Sequence, residues 1–183
     1  MYQIVLLVGV VTPLLFGMIG RVNVGIRHVL SVYPFLAMLG ALAAVYLWRL
    51  GPAARTAVAL LLLWQCGACV YAWPDYIPYF NEAAAAHADY LLSDSDLDWG
   101  QDLKRVAPVL RSLGADHIFI DYNGTEDLNR VGLPPWQRLK SRDRRSGWLV
   151  ISEWHLKRDG YGWLESYQPV AKVGHSIYIY HVP

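Results

Sequence analysis

Thr56-Ala-Val-Ala-Leu-Leu-Leu-Leu-Trp-Gln-Cys-Gly-Ala-Cys-Val-Tyr-Ala-Trp73-Pro74-Asp75 decides the reading of this chain. Eighteen residues without a charge end at Trp73, and the first acidic residue of the whole sequence follows at Asp75. Gln65 is the one strongly polar side chain in the run. A core helix of a water-soluble protein carries a polar stripe on its outer face, and this segment has none. At about 1.5 Å per residue, roughly 20 residues cross a bilayer core, so 56–73 fits with little to spare.

Working outward towards the N-terminus, two more uncharged stretches appear. Met1 to Gly20 spans 20 residues and His28 to Trp48 spans 21. The first 73 residues hold no Asp, Glu or Lys and only Arg21, Arg27, Arg49 and Arg55. The remaining twelve basic residues and all 15 acidic ones lie beyond, so the front carries +4 and the tail −3. Such a shift marks a change of solvent. The expected architecture is a membrane domain over 1–73 with three transmembrane helices, at about 1–20, 29–48 and 56–73. A small soluble α/β domain with a mixed sheet follows over 74–183. A signal peptide is the alternative for Met1–Gly20, but a basic start and a small-residue cleavage site are missing.

Sidedness follows from charge. The loops Arg21–His28 and Arg49–Arg55 tie at two arginines each, and after Trp73 no Lys or Arg occurs before Lys104. Cationic residues close to a span hold a segment inside, so the tail is expected outside the membrane, on the same face as Arg21–His28. Cys66 and Cys69 are the only cysteines and fall within the third span. They offer half of a zinc shell at most, and small residues packing between helices are the plainer reading.

In the tail, Tyr79–Asp89 reads as an alanine-rich helix. Gln101–Leu113 reads as an amphipathic one stopped by Gly114. His117–Tyr122 and Trp148–Ser152 read as strands, and Pro169–Val173 with Ser176–Val182 as a closing hairpin turned at Gly174-His175. Strands alternating with helices imply an α/β sandwich.

Three groups of residues point to chemistry. Asp94, Asp96, Asp98 and Asp102 form the densest acidic cluster, expected as a polar surface patch. An EF-hand loop counted from Asp94 fails, because Trp99 and Arg105 occupy the positions that need Gly and Glu. A generic divalent cation site stays open beside a helix cap, with Asp98 accepting backbone N–H bonds and Asp102 complementing the helix dipole. Arg21, Arg27 and His28 are either membrane-edge anchors or ligands for a lipid phosphate, which the planar guanidinium fork suits. Arg138, Lys140, Arg142, Arg144 and Arg145 form a solvated loop or a contact for anionic headgroups. Asn123-Gly-Thr125 fits the glycosylation triplet.

Asn23-Val-Gly25-Ile26-Arg27-His28-Val-Leu-Ser31-Val-Tyr33-Pro34-Phe35-Leu36, Tyr79-Phe80-Asn81-Glu82 and Asp94-Ser-Asp96-Leu-Asp98-Trp99-Gly100-Gln101-Asp102-Leu103 together resemble the C-terminal part of bacterial phospholipid-carrier-dependent glycosyltransferases. These are the family-39-like, GT-C relatives of protein O-mannosyltransferases and aminoarabinose transferases. Ser31 stands where the family usually has Pro, and Asp96 where it usually has Asn. The resemblance implies a plasma-membrane enzyme of the bacterial cell envelope that moves a sugar from a polyprenyl-phosphate carrier to an acceptor at the outer face. It implies a catalytic carboxylate in a first outer loop and basic groups on the lipid phosphate. Residues 1–73 contain no carboxylate, so the chain is expected to lack that base and to act with upstream spans or an N-terminal partner chain. A non-catalytic anchored module binding a glycan, lipid or protein is the competing expectation. No certain cofactor and no nucleic-acid partner are expected. A transporter fits poorly, because no span carries a charge to mark an ion path.

Overall fold

The computed structural model describes residues 2–19, 29–81, 83 and 97–183. The chain divides into two compact units, Met1–Pro74 and Asp75–Pro183.

The first unit is helical among its described residues: α1 (Tyr2–Ile19), α2 (Val32–Leu50) and α3 (Pro52–Ala72). α1 packs on α2, and α2 on α3. Two helices, Val32–Leu50 and Pro52–Ala72, are long and apolar enough to cross a membrane; the apolar stretch of α1, Ile4–Ile19, is shorter. The expected Arg49–Arg55 loop contracts to Gly51 alone, because Arg49 lies in the last turn of α2 and Pro52 opens α3. Proline suits that first helical position, where its missing N–H has no partner to lose. Arg55 Nε donates to the Trp48 carbonyl at 2.9 Å and closes the corner. Cys66 and Cys69 are both free thiols exposed on α3 among the described residues. The Sγ of Cys69 lies 3.6 Å from Gln65 Nε2 and gives that lone amide a partner within its own helix.

The second unit is built on a five-stranded mixed sheet in the order β2-β1-β3-β5-β4. Its strands are β1 (Ile118–Asp121), β2 (Trp136–Arg138), β3 (Gly147–Ser152), β4 (Ala171–Val173) and β5 (Ile177–Val182). β1 runs parallel to both β2 and β3, while β5 is antiparallel to β3 and β4. Side chains alternate between the two faces of a strand, and both faces are covered here. On one face Ile118, Ile120, Val150, Ile177 and Ile179 meet Leu103, Val106 and Leu110 of α4 (Leu103–Ser112). On the other, Leu149, Ile151, Tyr180 and Val182 meet Tyr161 and Leu164 from the segment that follows α5 (Glu153–Arg158). The third apolar residue of β1, Phe119, points to this second face and packs at its margin.

Gln101 and Asp102 form a turn, and α4 starts at Leu103, two residues later than its periodicity predicts. Of the expected 79–89 helix, Tyr79–Asn81 is irregular and 82 and 84–89 lie outside the described residues.

Candidate functional site

The strands β1 and β3 end side by side, Asp121 opposite Ile151. In open α/β sheets, ligands collect where parallel strands end, and the Leu97–Asp102 loop is fastened at this edge. Tyr122 Oη donates to the Gly100 carbonyl at 3.0 Å, and Asn123 Nδ2 donates to the Asp98 carbonyl at 3.2 Å. Asn123 N–H in turn donates to Ser152 Oγ at 3.0 Å. Asn123 therefore serves as a structural clamp within its glycosylation-like triplet.

The loop is also tied to itself. Gly100 N–H donates to Asp98 Oδ1 at 2.9 Å, Trp99 N–H to Gln101 Oε1 at 2.8 Å, and Gln101 Nε2 to the Leu97 carbonyl at 2.7 Å. Gly100 sits at φ 75°, and a Cβ there would lie 2.1 Å from Tyr122 Oη. No other residue fits without moving that ring.

Asp98 and Asp102 are 2% and 1% exposed, which corrects the expectation of a polar surface patch for this pair. Both carboxylates turn inward because buried N–H groups wait for them. Asp98 Oδ2 accepts from Trp154 N–H, at the start of α5, at 3.4 Å, so it joins the loop to α5 and does not cap α4. Burial pushes the Asp98 carboxyl above its ordinary value, against the lowering pull of the Gly100 and Trp154 N–H groups, the His155 charge and Asn123. Asp102 stands at the N-cap position of α4, but its side chain makes no cap bond there. Its Oδ2 accepts from His175 N–H (2.9 Å), Ser176 N–H (3.1 Å) and Ser176 Oγ (2.9 Å) in the turn between β4 and β5. Arg105 Nη1 lies 3.1 Å from Asp102 Oδ1 and 2.7 Å from Asp75 Oδ1. Gly174, at φ 57°, makes room, since a Cβ would fall 2.1 Å from the Asp102 carboxylate.

Beside this loop lies an open cleft of about 250 Å³ lined by Trp99, Gly100, Gln101, Lys104, Tyr122 and Glu126, among others. The Trp99 side chain is presented outward, and the residue is 53% exposed.

A second cluster lies on the other face, at the end of β1. Asp121, His155 and Asp159 bring one ligand atom each within 4.8 Å of one another and could hold a metal ion. The His155 Nδ1 and Asp159 Oδ2 atoms lie 2.5 Å apart, and Nε2 lies 3.7 Å from Asp121 Oδ1. Tyr161 Oη donates to Asp121 Oδ2 at 2.7 Å, and burial with that carboxylate beside it raises the phenol well above its ordinary value. One imidazole and two carboxylates suit zinc or manganese. The sequence reading missed this cluster and looked for a cation at Asp94–Asp102 instead. The His155–Asp159 spacing of four, one helical turn, was its only local sign.

Arg21, Arg27, His28, Asp94 and Asp96 lie outside the described residues. Arg138, Lys140, Arg142, Arg144 and Arg145 are all exposed, and the Arg145 guanidinium stands 5.5 Å from the Phe119 ring. No protein-family model, curated protein or solved structure matches this chain, so the family likeness rests on the three motifs alone.

Proposed function

We propose that the chain is the C-terminal portion of a membrane glycosyltransferase that moves a sugar from a polyprenyl-phosphate carrier to an acceptor at the outer face of the plasma membrane. In this reading α2, α3 and the first apolar helix, α1, all span the bilayer, and the sheet unit lies outside. The observation that carries the reading is local. The described part of the most specific family-like motif, Leu97–Leu103, also supplies Trp99, Gly100, Gln101 and Leu103 to the polar cleft. The exposure of α2 and α3 agrees with a lipid surrounding, since only 6% of either window is buried, where a helix of a water-soluble core is mostly covered.

The division of labour follows from the carboxylates. A general base must reach the proton it removes. Asp98 and Asp102 are buried and already hydrogen-bonded within the fold, and residues 1–73 have no carboxylate. As the family resemblance implies, the base is a carboxylate of other spans, in this or a partner chain. Arg27 takes the carrier phosphate, with His28 and Arg21 beside it.

The experiment is a transfer assay in right-side-out vesicles carrying the assembled enzyme, with an acceptor that cannot cross the membrane. Transfer is expected from outside. Arg27→Lys keeps the charge and loses the bidentate fork, so it should impair transfer more than Arg21→Lys. No transfer to the external acceptor, or equal and small effects of the two substitutions, defeats the proposal. The burial of Asp98 and Asp102 favours a second reading, a non-catalytic anchored module, and that reading stands if neither arginine matters.

A further inference from the structure

We propose that the end of β1 and the helix α5 form a zinc-class metal site, in which His155 Nε2 and Asp121 Oδ1 are the protein ligands and Asp159 holds the imidazole in place. The site is independent of the glycosyl-transfer reading and gives the second face of the sheet a cation to bind.

The two contacts of the His155 ring differ in kind. A carboxylate only accepts, so the 2.5 Å contact between Nδ1 and Asp159 Oδ2 places the ring proton on Nδ1 and leaves Nε2 its lone pair. Ligand atoms from two residues, each about 2.0–2.2 Å from one ion, stand roughly 3–3.5 Å apart. The Asp159 contact is shorter than that and is a shared proton, not a shared ion. On the other side of the ring, Nε2 stands 3.7 Å from Asp121 Oδ1. That is too long for a hydrogen bond and within a small side-chain shift of the spacing of two ligands.

Asp121 is prepared for the same role. Residues two apart share a face of a strand, so it follows Phe119 of β1 onto the second face of the sheet, where it meets Tyr161. The residue is 7% exposed. Tyr161 Oη donates to its Oδ2 at 2.7 Å. Oδ1 accepts no hydrogen bond among the described residues and is the oxygen that faces Nε2. Among the described residues, no Lys or Arg forms an ion pair with Asp121 or Asp159. A buried charge needs a partner, and one divalent cation balances these two carboxylates. Histidines that bind metals give their other N–H to a carboxylate, and metal-binding carboxylates are hydrogen-bonded in turn. Asp159 and Tyr161 supply both supports.

The donor set selects the ion. An imidazole nitrogen beside a carboxylate oxygen suits zinc, and manganese less tightly, whereas calcium and magnesium favour oxygen throughout. The His155 and Asp159 side chains are 17% and 37% exposed, which leaves an entry path and room for water as the remaining ligands. A bound ion would tie the last residue of β1 to α5.

The test uses the untagged full chain in lipid nanodiscs, with Cys66→Ser and Cys69→Ser because these free thiols also bind zinc. Zinc chloride is titrated by calorimetry, and the imidazole nitrogens of isotope-labelled histidine are followed by NMR. Zinc should shift the His155 Nε2 resonance and leave Nδ1 protonated. His155→Gln and Asp121→Asn should remove this site, while Asp159→Asn and Tyr161→Phe should weaken it roughly 10–100-fold. Manganese should bind less tightly than zinc, and calcium and magnesium should leave the ring unmoved. The proposal is overturned if saturating zinc leaves Nε2 unshifted in the parent chain, a result that needs no variant to fold. It is overturned equally if His155→Gln, shown folded by circular dichroism, binds zinc as the parent does. A ring that keeps protons on both nitrogens in the presence of zinc also overturns it, and makes His155 an imidazolium bridging Asp121 and Asp159. None of these readouts uses transfer activity, so failure of the metal site and failure of the enzymatic reading stay distinguishable.

Discussion

The leucines of α3 and the leucines of the sheet unit sit in opposite surroundings. Leu60, Leu61, Leu62 and Leu63 are all more than half exposed, whereas Leu97, Leu103, Leu110, Leu139, Leu149 and Leu164 are at most 2% exposed. Four consecutive residues of a helix point around most of its circumference, so α3 has no side reserved for water. Among the described residues of the sheet unit the same residue type is buried or half-buried throughout. The difference shows why the boundary between the two units at Pro74 was legible from composition while the polar interior was not. Exclusion of charge is a property of a segment, but the satisfaction of a buried carboxylate depends on partners far away in the chain.

The sharpest way to break this comparison is to remove the same atoms on both sides of it. Leu110→Ala opens a cavity between α4 and the sheet and should cost about 3 kcal/mol. Leu62→Ala, at 58% exposure, should leave the unfolding of the sheet unit unchanged. Urea titration of the full chain in detergent, read by near-ultraviolet circular dichroism, measures both. Equal costs would mean that the exposed leucines of α3 are covered by protein after all.

A second pair asks whether the buried acids are structural. Asp102→Ala strands two backbone N–H groups and the Ser176 hydroxyl and frees Arg105 from one of its two partners. A buried donor left without a partner costs about 1–3 kcal/mol, so about 2–3 kcal/mol is expected in the same titration. Asp98→Ala loses bonds from Gly100 and Trp154, the latter long at 3.4 Å, and should cost about 1–2 kcal/mol. If Asp98→Ala proves the more damaging, the loop leans on α5 more than on the β4–β5 turn.

The strongest elements were readable because their signals are local. Gln101–Leu113 gave α4 through its apolar spacing, and Trp148–Ser152 gave β3 within one residue. β2 was not read as a strand, since Trp136–Arg138 is three residues long, follows two prolines and opens a basic run. It becomes a strand only by pairing with β1. α5 has six residues, too few for a helical period to show. The candidate sites were half legible. The acidic motif drew attention to Asp98 and Asp102, but it pointed to surface acids where the fold needed acceptors. Tyr161 and Asp121 are 40 positions apart and Trp154 and Asp98 are 56 apart, distances across which no periodicity carries information. The cleft was invisible for the same reason, since Tyr122 and Glu126 reach Trp99 only once β1 is in place.

The smallest effect concerns the charge on Asp98, and it separates a buried acid from an exposed one most directly. Its carboxyl is held above the ordinary value of 3.8 because burial outweighs the N–H donors, the His155 charge and Asn123. A raised carboxyl binds its proton more tightly in the folded chain than in the unfolded one, so protonation favours folding. The stability contributed by this group is therefore fully present below pH 3.8 and is lost as pH rises through the folded value. Two measurements follow. The carboxyl carbon of Asp98, followed by NMR, should titrate with a midpoint above 3.8. The destabilisation caused by Asp98→Ala should shrink as pH rises through that midpoint, while the cost of Leu110→Ala, which removes no charge, should not follow that titration. A midpoint at or below 3.8 would mean that the Gly100 and Trp154 donors outweigh burial. Asp98 would then be stabilised as a carboxylate, and its stability contribution would run the other way, lost as pH falls.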